Sequence, residues 1–197
     1  MSIKILGGLL KGFNLPVYEK VTRPTGVLLK RKVFDARQSL LGFDFVDLCA
    51  GSGSVGFEAL SRGANSLILV EKNSAAARML TDSKNKIEDK MKKFNTSCDI
   101  SISNNSVSKW LDKNLNVLSL ERTILFFDPP YDQSKLYCEV INRVFSLTSF
   151  RGEFWIEYDS KGDNDISKII QEKRTLHSCK SYTHGGHEIC IFDFSNS

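Results

Sequence analysis

A chain of 197 residues with 41% hydrophobic and 25% charged residues has an ordinary globular composition, long enough for one domain with a substantial core and a small appendage. No apolar run approaches the roughly 20 residues that cross a bilayer, and the N-terminal MSIKILGGLLKGF is too short and too broken by Gly and Lys to read as a signal peptide. The net charge of +4 is uneven: residues 1–37 hold eight cations and two anions, net +6, whereas the remainder holds 19 cations and 21 anions, net −2.

Taken in chain order, residues 3–6 and 9–15 read as short extended segments around Gly7-Gly8, a dipeptide suited to a tight hairpin turn. Pro16 to Pro24 reads as a loop. Residues 26–41, with Val27, Leu28, Lys30, Arg31, Phe34 and Leu41, predict a basic amphipathic helix. The order then repeats as strand and helix: 43–48 and 54–62, 66–71 and 73–88, 99–103 and 106–115, 123–128 and 133–146, 153–158 and 163–172. Two last strands, about 174–182 and 187–194, flank Gly185-Gly186, so the final strand is expected to run antiparallel. Strands alternating with helices predict an α/β, doubly wound sheet of seven mostly parallel strands. The domain reading is an N-terminal hairpin and loop over 1–24, followed by a single domain over 25–197. Five cysteines, an odd number without a CxxC pair, are expected to be reduced, buried thiols of a cytosolic protein.

The first chemical signal is DLCAGSGSVG, residues 47–56. Gly51, Gly53 and Gly56 satisfy G-x-G-x-x-G between a strand and a helix, where glycine lets backbone approach a ligand and the helix N-terminus offers free N–H groups. Glu71 ends the next strand, 20 residues after Gly51, where a carboxylate can accept both hydroxyls of a ribose. These features fit a nicotinamide dinucleotide as well as S-adenosylmethionine. Asp47 tips the balance, because it would oppose a pyrophosphate but favour the cationic ammonium of an aminosulfonium donor.

The second signal is TILFFDPPY, residues 123–131. In doubly wound sheets ligands lie outside the carboxyl ends of the strands, where Asp128 falls. An exocyclic base amine is a poor nucleophile. An oxygen of Asp128 and the Pro129 carbonyl, two fixed acceptors, would orient its lone pair and stabilise charge developing on nitrogen. Pro129 and Pro130 stiffen the loop, and Tyr131 offers a flat face to an extruded base. The competing reading is a strand-end turn with Asp128 as a helix cap.

The sequence resembles the RsmD family of ribosomal RNA guanine-N2 methyltransferases. The matching residues are IKILGGLLKGFNLPV (3–17), RPTG (23–26), Phe34-Asp35, DLCAGSGSVGFEALSRGA (47–64), VEKN (70–73) and DPPY (128–131). The resemblance implies a Rossmann-like, cytoplasmic bacterial enzyme that methylates the N2 amine of one guanine in 16S ribosomal RNA, as free RNA or as an assembled small-subunit particle. S-adenosylmethionine is the implied donor, with no metal and a monomeric chain. It implies donor contacts from Asp47, Ala50, Gly51, Gly53, Glu71, Lys72 and Asp128, and catalysis by Asp128, Pro129, Pro130 and Tyr131. Asn105 or Ser106 stands where family members meet the adenine amine. RNA contacts are expected from Lys4, Lys11, Arg23, Thr25, Lys30, Arg31 and Lys32. The chain departs from the family at Lys30-Arg31, where an Arg-Glu pair is usual, and at His184, where Tyr is frequent. His184, His187 and His177 lack a metal-ligand spacing and are expected to be turn or surface residues. The alternatives are an amino-methyltransferase acting on DNA or another RNA base, and a dinucleotide-dependent oxidoreductase.

Overall fold

The computed structural model describes residues 2–17, 25–114, 122–162 and 164–195, with the backbone alone at 25–27 and 164. The elements are β1 (Ser2–Lys4), β2 (Asn14–Pro16), α1 (Thr25–Ala36), β3 (Asp44–Asp47), α2 (Ser54–Ser61), β4 (Ser66–Val70), α3 (Ser74–Lys92), β5 (Asp99–Ser103), α4 (Val107–Asn114), β6 (Thr123–Phe127), α5 (Ser134–Phe145), β7 (Glu153–Asp159), α6 (Asn164–Leu176), β8 (Cys179–His184) and β9 (His187–Asp193). Most of the expected loop at 16–24 lies outside the described residues.

Seven strands form one sheet in the order β5-β4-β3-β6-β7-β9-β8. β3, β4, β5, β6 and β7 pair in parallel, and β9 runs antiparallel between β7 and β8. Residues of one strand alternate between two cores, as a sheet covered on both faces requires. Phe45, Leu67, Phe126 and Trp155 join the core packed on α1, α2 and α3. Val46, Val70, Leu125, Phe127 and Ile156 join the one packed on α4, α5 and α6. Gly185 and Gly186 both have positive φ, 61° and 92°, the backbone of a two-residue hairpin turn, so the antiparallel last strand follows from local chemistry.

Four expectations on elements are corrected, the first being α3, which runs to Lys92, four residues past its expected end at 88. The hairpin does not turn at Gly7-Gly8; its strands are three residues each, in register Ser2↔Pro16 to Lys4↔Asn14, and residues 5–13 form the connection. Helix α1 stops at Ala36, not 41, and α6 runs on to Leu176, four residues past the expected end and into the expected strand.

The N-terminal hairpin is clasped to the core by side chains of α2 and Arg62, which follows it. The Leu6 N–H donates to Glu58 Oε2 at 2.6 Å, the Leu10 N–H to Ser61 Oγ at 2.8 Å, and the Leu9 N–H to the Ser61 carbonyl at 2.8 Å. Arg62 bonds Glu58 Oε1 at 2.7 Å and the Phe34 carbonyl of α1 at 2.8 Å. Gly8, at φ +70°, lies so close that a Cβ there would sit 1.8 Å from the Ser61 carbonyl oxygen. Ile5, Leu10 and Leu15 are buried in the core with α1, α2 and α3.

Candidate functional site

The carboxyl ends of β3, β4, β5, β6 and β7 open into a cavity of about 610 Å³, a size that suits a small molecule together with a base. From the loop after β3 it is lined by Asp47, Ala50 and Gly51, and from the loop after β4 by Glu71 and Lys72. Asn105 and Ser106 enter after β5. After β6 come Asp128, Pro129, Pro130 and Tyr131. The sheet thus gathers residues spread over more than eighty positions. Among the expected donor contacts, Gly53 alone is absent from the wall. Its φ of +74° turns the chain into α2, and a Cβ would meet Leu80 and Phe57 at 2.7 Å. That glycine serves the turn and the packing beneath it.

Local bonds hold the two halves in place. Glu71 Oε2 accepts the Gly51 N–H at 2.8 Å and Oε1 accepts the Asn73 N–H at 2.7 Å, so the carboxylate ties the Gly-rich loop to the loop after β4. Asn73 caps α3 by accepting from the N–H groups of Ala75 and Ala76. Asn104 donates its side-chain amide to the carbonyls of Glu71 and Lys72, which binds that loop to the loop after β5. Asp47 Oδ2 accepts the Gly56 N–H at 3.2 Å, whereas its buried Oδ1 has no partner among the described residues. Burial pushes the Asp47 carboxyl up to about 7, against the opposing pull of Lys30.

Among the cations expected to meet RNA, Lys30 stands apart from Arg31 and Lys32. Its Nζ lies 3.0 Å from Asp128 Oδ2 and 3.9 Å from Glu157 Oε2, and it lines the cavity. Burial works against its charge, but Asp128 and then Glu157 outweigh that and raise its pKa above the ordinary lysine value. Arg31 and Lys32 are exposed; Arg31 pairs with Asp35 and Lys32 donates to the Thr183 carbonyl. Lys4 and Lys11 are exposed on the hairpin and its connection. Arg23 lies outside the described residues, and Thr25 begins α1 with only its backbone described.

Among the residues that the sequence reading did not place at the site, three bear on the base side of the cavity. Glu157, two residues before the end of β7, is buried beside Asp128. Burial, then the Asp128 charge, pushes its carboxyl up to about 8, while Lys30 opposes. Its signal was available: an acid recurs in EFWIEY at a strand end that must neighbour DPPY. Ile3 of β1 forms part of the wall. His187 stacks on Tyr131, with ring centroids 5.1 Å apart at 22°, so it belongs to the site margin and is not a plain turn histidine. The Pro129 carbonyl receives the Tyr137 hydroxyl at 3.3 Å, but that hydroxyl lies closer, at 2.8 Å, to the Glu157 carbonyl. Having one proton, it favours the shorter bond and leaves the Pro129 oxygen free to accept another donor. The five cysteines are free, but Cys190 alone of them is buried and the other four are half-buried, which corrects the expectation of burial; no cluster of His, Cys, Asp or Glu fit to hold a metal occurs among the described residues.

The comparisons agree across most of the chain. A family model described as conserved hypothetical protein 95 matches residues 3–193. Ribosomal RNA small subunit methyltransferase D of Haemophilus influenzae is 37% identical over 81 residues, 40% of this chain and 42% of that one. The protein of the same name from Escherichia coli K12 is 28% identical over 170 residues, 85% of this chain and 79% of that one. Among solved structures, the Escherichia coli protein yhhF superposes with a TM-score of 0.71 at 19% identity over 100% of both chains. The T. thermophilus 16S rRNA N2 G1207 methyltransferase RsmC, in complex with AdoMet and guanosine, superposes with a TM-score of 0.61 at 14% identity over 100% of this chain and 45% of that one. At these identities the structural likeness shows the fold.

Proposed function

The chain belongs to the RsmD family, and from that membership we propose that it is an S-adenosylmethionine-dependent methyltransferase acting on the exocyclic N2 amine of a guanine in 16S ribosomal RNA. One observation carries the reading: the Gly-rich loop with Glu71 and the Asp128-Pro129 acceptor pair open into one cavity. Asp47, Gly51 and Glu71 hold the donor's amino acid and ribose ends. Ala50, Lys72 and the Asn105-Ser106 segment complete its wall. Asp128 and the Pro129 carbonyl orient the amine for in-line attack on the methyl group. Four acids (Asp47, Glu71, Asp128 and Glu157) against Lys30 and Lys72 give the cavity more carboxyls than cations, which favours a sulfonium donor over a pyrophosphate. Tyr131, backed by His187, flanks the base, and Pro130 stiffens the turn.

The test is incubation with methyl-labelled S-adenosylmethionine and total RNA from a cognate strain lacking the protein, followed by mapping of the label. Label on N2 of one guanine of 16S RNA supports the reading. Label on DNA, on another base or on nothing overturns it, as does tight NADH binding.

Donor affinity is expected to depend on pH with a defined sign. A cationic ligand prefers Asp47 ionised, and below about 7 that group must first lose a proton. Affinity for S-adenosylmethionine should therefore rise as pH rises to about 7, with each unit below that value worth up to about tenfold. Calorimetry should show this slope in the natural chain and a much flatter one in Asp47→Asn; equal slopes would show that Asp47 is not the group.

The basic excess is proposed to meet RNA phosphates. With Lys30 in the cavity, the exposed cations to test are Lys4, Lys11, Arg31 and Lys32. Their replacement by Gln should weaken RNA binding and flatten the log–log salt slope by about 0.7–0.9 per lost phosphate contact. Binding of S-adenosylhomocysteine should persist. Unchanged RNA affinity and slope would make these cations a solvated face.

A further inference from the structure

Asp128 is not the only carboxyl aimed at the proposed base position. β6 and β7 pair in parallel with Phe127 opposite Ile156, so Asp128, one residue past β6, stands beside Glu157 of β7. Both line the cavity. The Glu157 side chain is 2% exposed, its Oε1 accepts the Tyr131 hydroxyl at 3.3 Å, and its buried Oε2 has no hydrogen-bond partner among the described residues. An unpartnered buried carboxyl oxygen costs free energy unless something fills its bonding capacity. Lys30 Nζ, at 3.9 Å, is an ion-pair neighbour beyond hydrogen-bond reach and is already committed to Asp128 at 3.0 Å.

We propose that Glu157 selects the base, its carboxyl accepting the ring N1–H of guanine while Asp128 and the Pro129 carbonyl hold the neighbouring N2 amine. The inference rests on the guanine reading above. On the edge of guanine that an extruded base presents, the N2 amine, the N1–H and O6 follow one another, so two adjacent carboxyls match the first two. The Tyr131 hydroxyl fixes the Glu157 carboxyl where it stands. Its burial beside Asp128 favours the neutral acid, whose O–H can be given to Asp128, which leaves its carbonyl oxygen as the acceptor for the N1–H. Adenine offers a bare acceptor at N1 and no amine at position 2, and cytosine has no N–H at the matching ring position. A site whose buried polar group is filled by one base and left empty by the others discriminates strongly. No proton transfer from the ring is needed: Glu157 positions and selects, and the amine proton lost after methyl transfer leaves to solvent.

The experiment uses the 16S RNA fragment to which label maps, with guanosine or 2-aminopurine riboside at the target. The analogue keeps the 2-amine but has neither N1–H nor O6. Relative kcat/KM for the two RNAs is measured in the natural chain, in Glu157→Ala and in Glu157→Gln, with S-adenosylhomocysteine affinity as the check on folding. The natural chain should prefer guanosine by about 10²-fold or more beyond the preference left in Glu157→Ala. Glu157→Gln should keep most of the preference, because an amide presents the same acceptor and donor as a neutral carboxyl. The proposal is overturned if Glu157→Ala slows both RNAs alike or neither, or if Glu157→Gln loses the preference as Ala does. If the natural chain methylates no guanine, the proposed function fails first and this inference falls with it; an active chain with an unmoved ratio sinks this inference alone.

Discussion

Asp128→Ala is expected to cut turnover by about 10²-fold or more while S-adenosylhomocysteine binds within about threefold of its natural affinity. The target nitrogen is a poor nucleophile because its lone pair is shared with the ring. Its attack needs two acceptors fixed in advance, and Asp128 supplies one beside the Pro129 carbonyl. The carboxylate need not be a strong base, since the methylated ammonium is acidic enough to lose its proton to water. Asp128→Asn should therefore retain more activity than Ala, its amide oxygen still accepting. The structure adds a second consequence: Lys30 bonds Asp128 and neighbours Glu157, so Ala would leave that ammonium against Glu157 alone. Single-turnover rates for the three chains, with donor affinities alongside, decide the matter. An Asn chain as slow as Ala would mean that the negative charge itself is required and would remove the orientation account.

The sheet was legible because its period is local. Each strand from 43 to 158 ended within one residue of its expected end, since each is a short apolar run bounded by Gly, Pro or a cap. The Gly-rich loop, Glu71 and DPPY were equally legible, because motif spacing after a strand fixes which edge of the sheet a residue reaches. What escaped depends on tertiary neighbours. Lys30 reads as one of three consecutive cations, yet α1 lies against the sheet so that one of the three points at Asp128 and two point outward. Helical periodicity separates faces but cannot say which face meets a carboxylate across 98 residues of chain. The hairpin failed for a related reason. Gly7-Gly8 looks like a two-residue turn, but the close approach that demands glycine at position 8 comes from Ser61. The strand after α6, β8, began late because the periodicity of α6 continues through residues 173–176 before the chain extends.

That clasp makes the other large expectation one of stability. GSGSVGFEALSRGA is the most specific stretch of the family resemblance, and three of its side chains, Glu58, Ser61 and Arg62, hold the hairpin rather than the cavity wall. Glu58 is 4% exposed and accepts from both the Leu6 N–H and Arg62, itself buried. Glu58→Ala would leave a guanidinium whose side chain is 7% exposed with the Phe34 carbonyl as its hydrogen-bond acceptor among the described residues, beside the Phe34 ring, and would orphan the Leu6 N–H. Losing one partner of a buried pair costs about 3–5 kcal/mol. The urea midpoint should fall accordingly, with little change in slope if the unfolded state is unaltered. Glu58→Gln keeps an acceptor for Leu6 and loses the charge, so its cost should be nearer 1–3 kcal/mol. Because Ile3 of the hairpin and Lys30 of α1 both line the cavity, the loosening should also be felt there. In native conditions trypsin should cut at Lys4 or Lys11 faster in Glu58→Ala than in the natural chain, before the core is digested. RNA turnover should fall more than donor affinity, whose contacts lie on the sheet edge. An Ala chain within about 1 kcal/mol of the natural one, with the hairpin no easier to cut, would mean that the apolar contacts of Ile5, Leu10 and Leu15 hold the hairpin without the clasp.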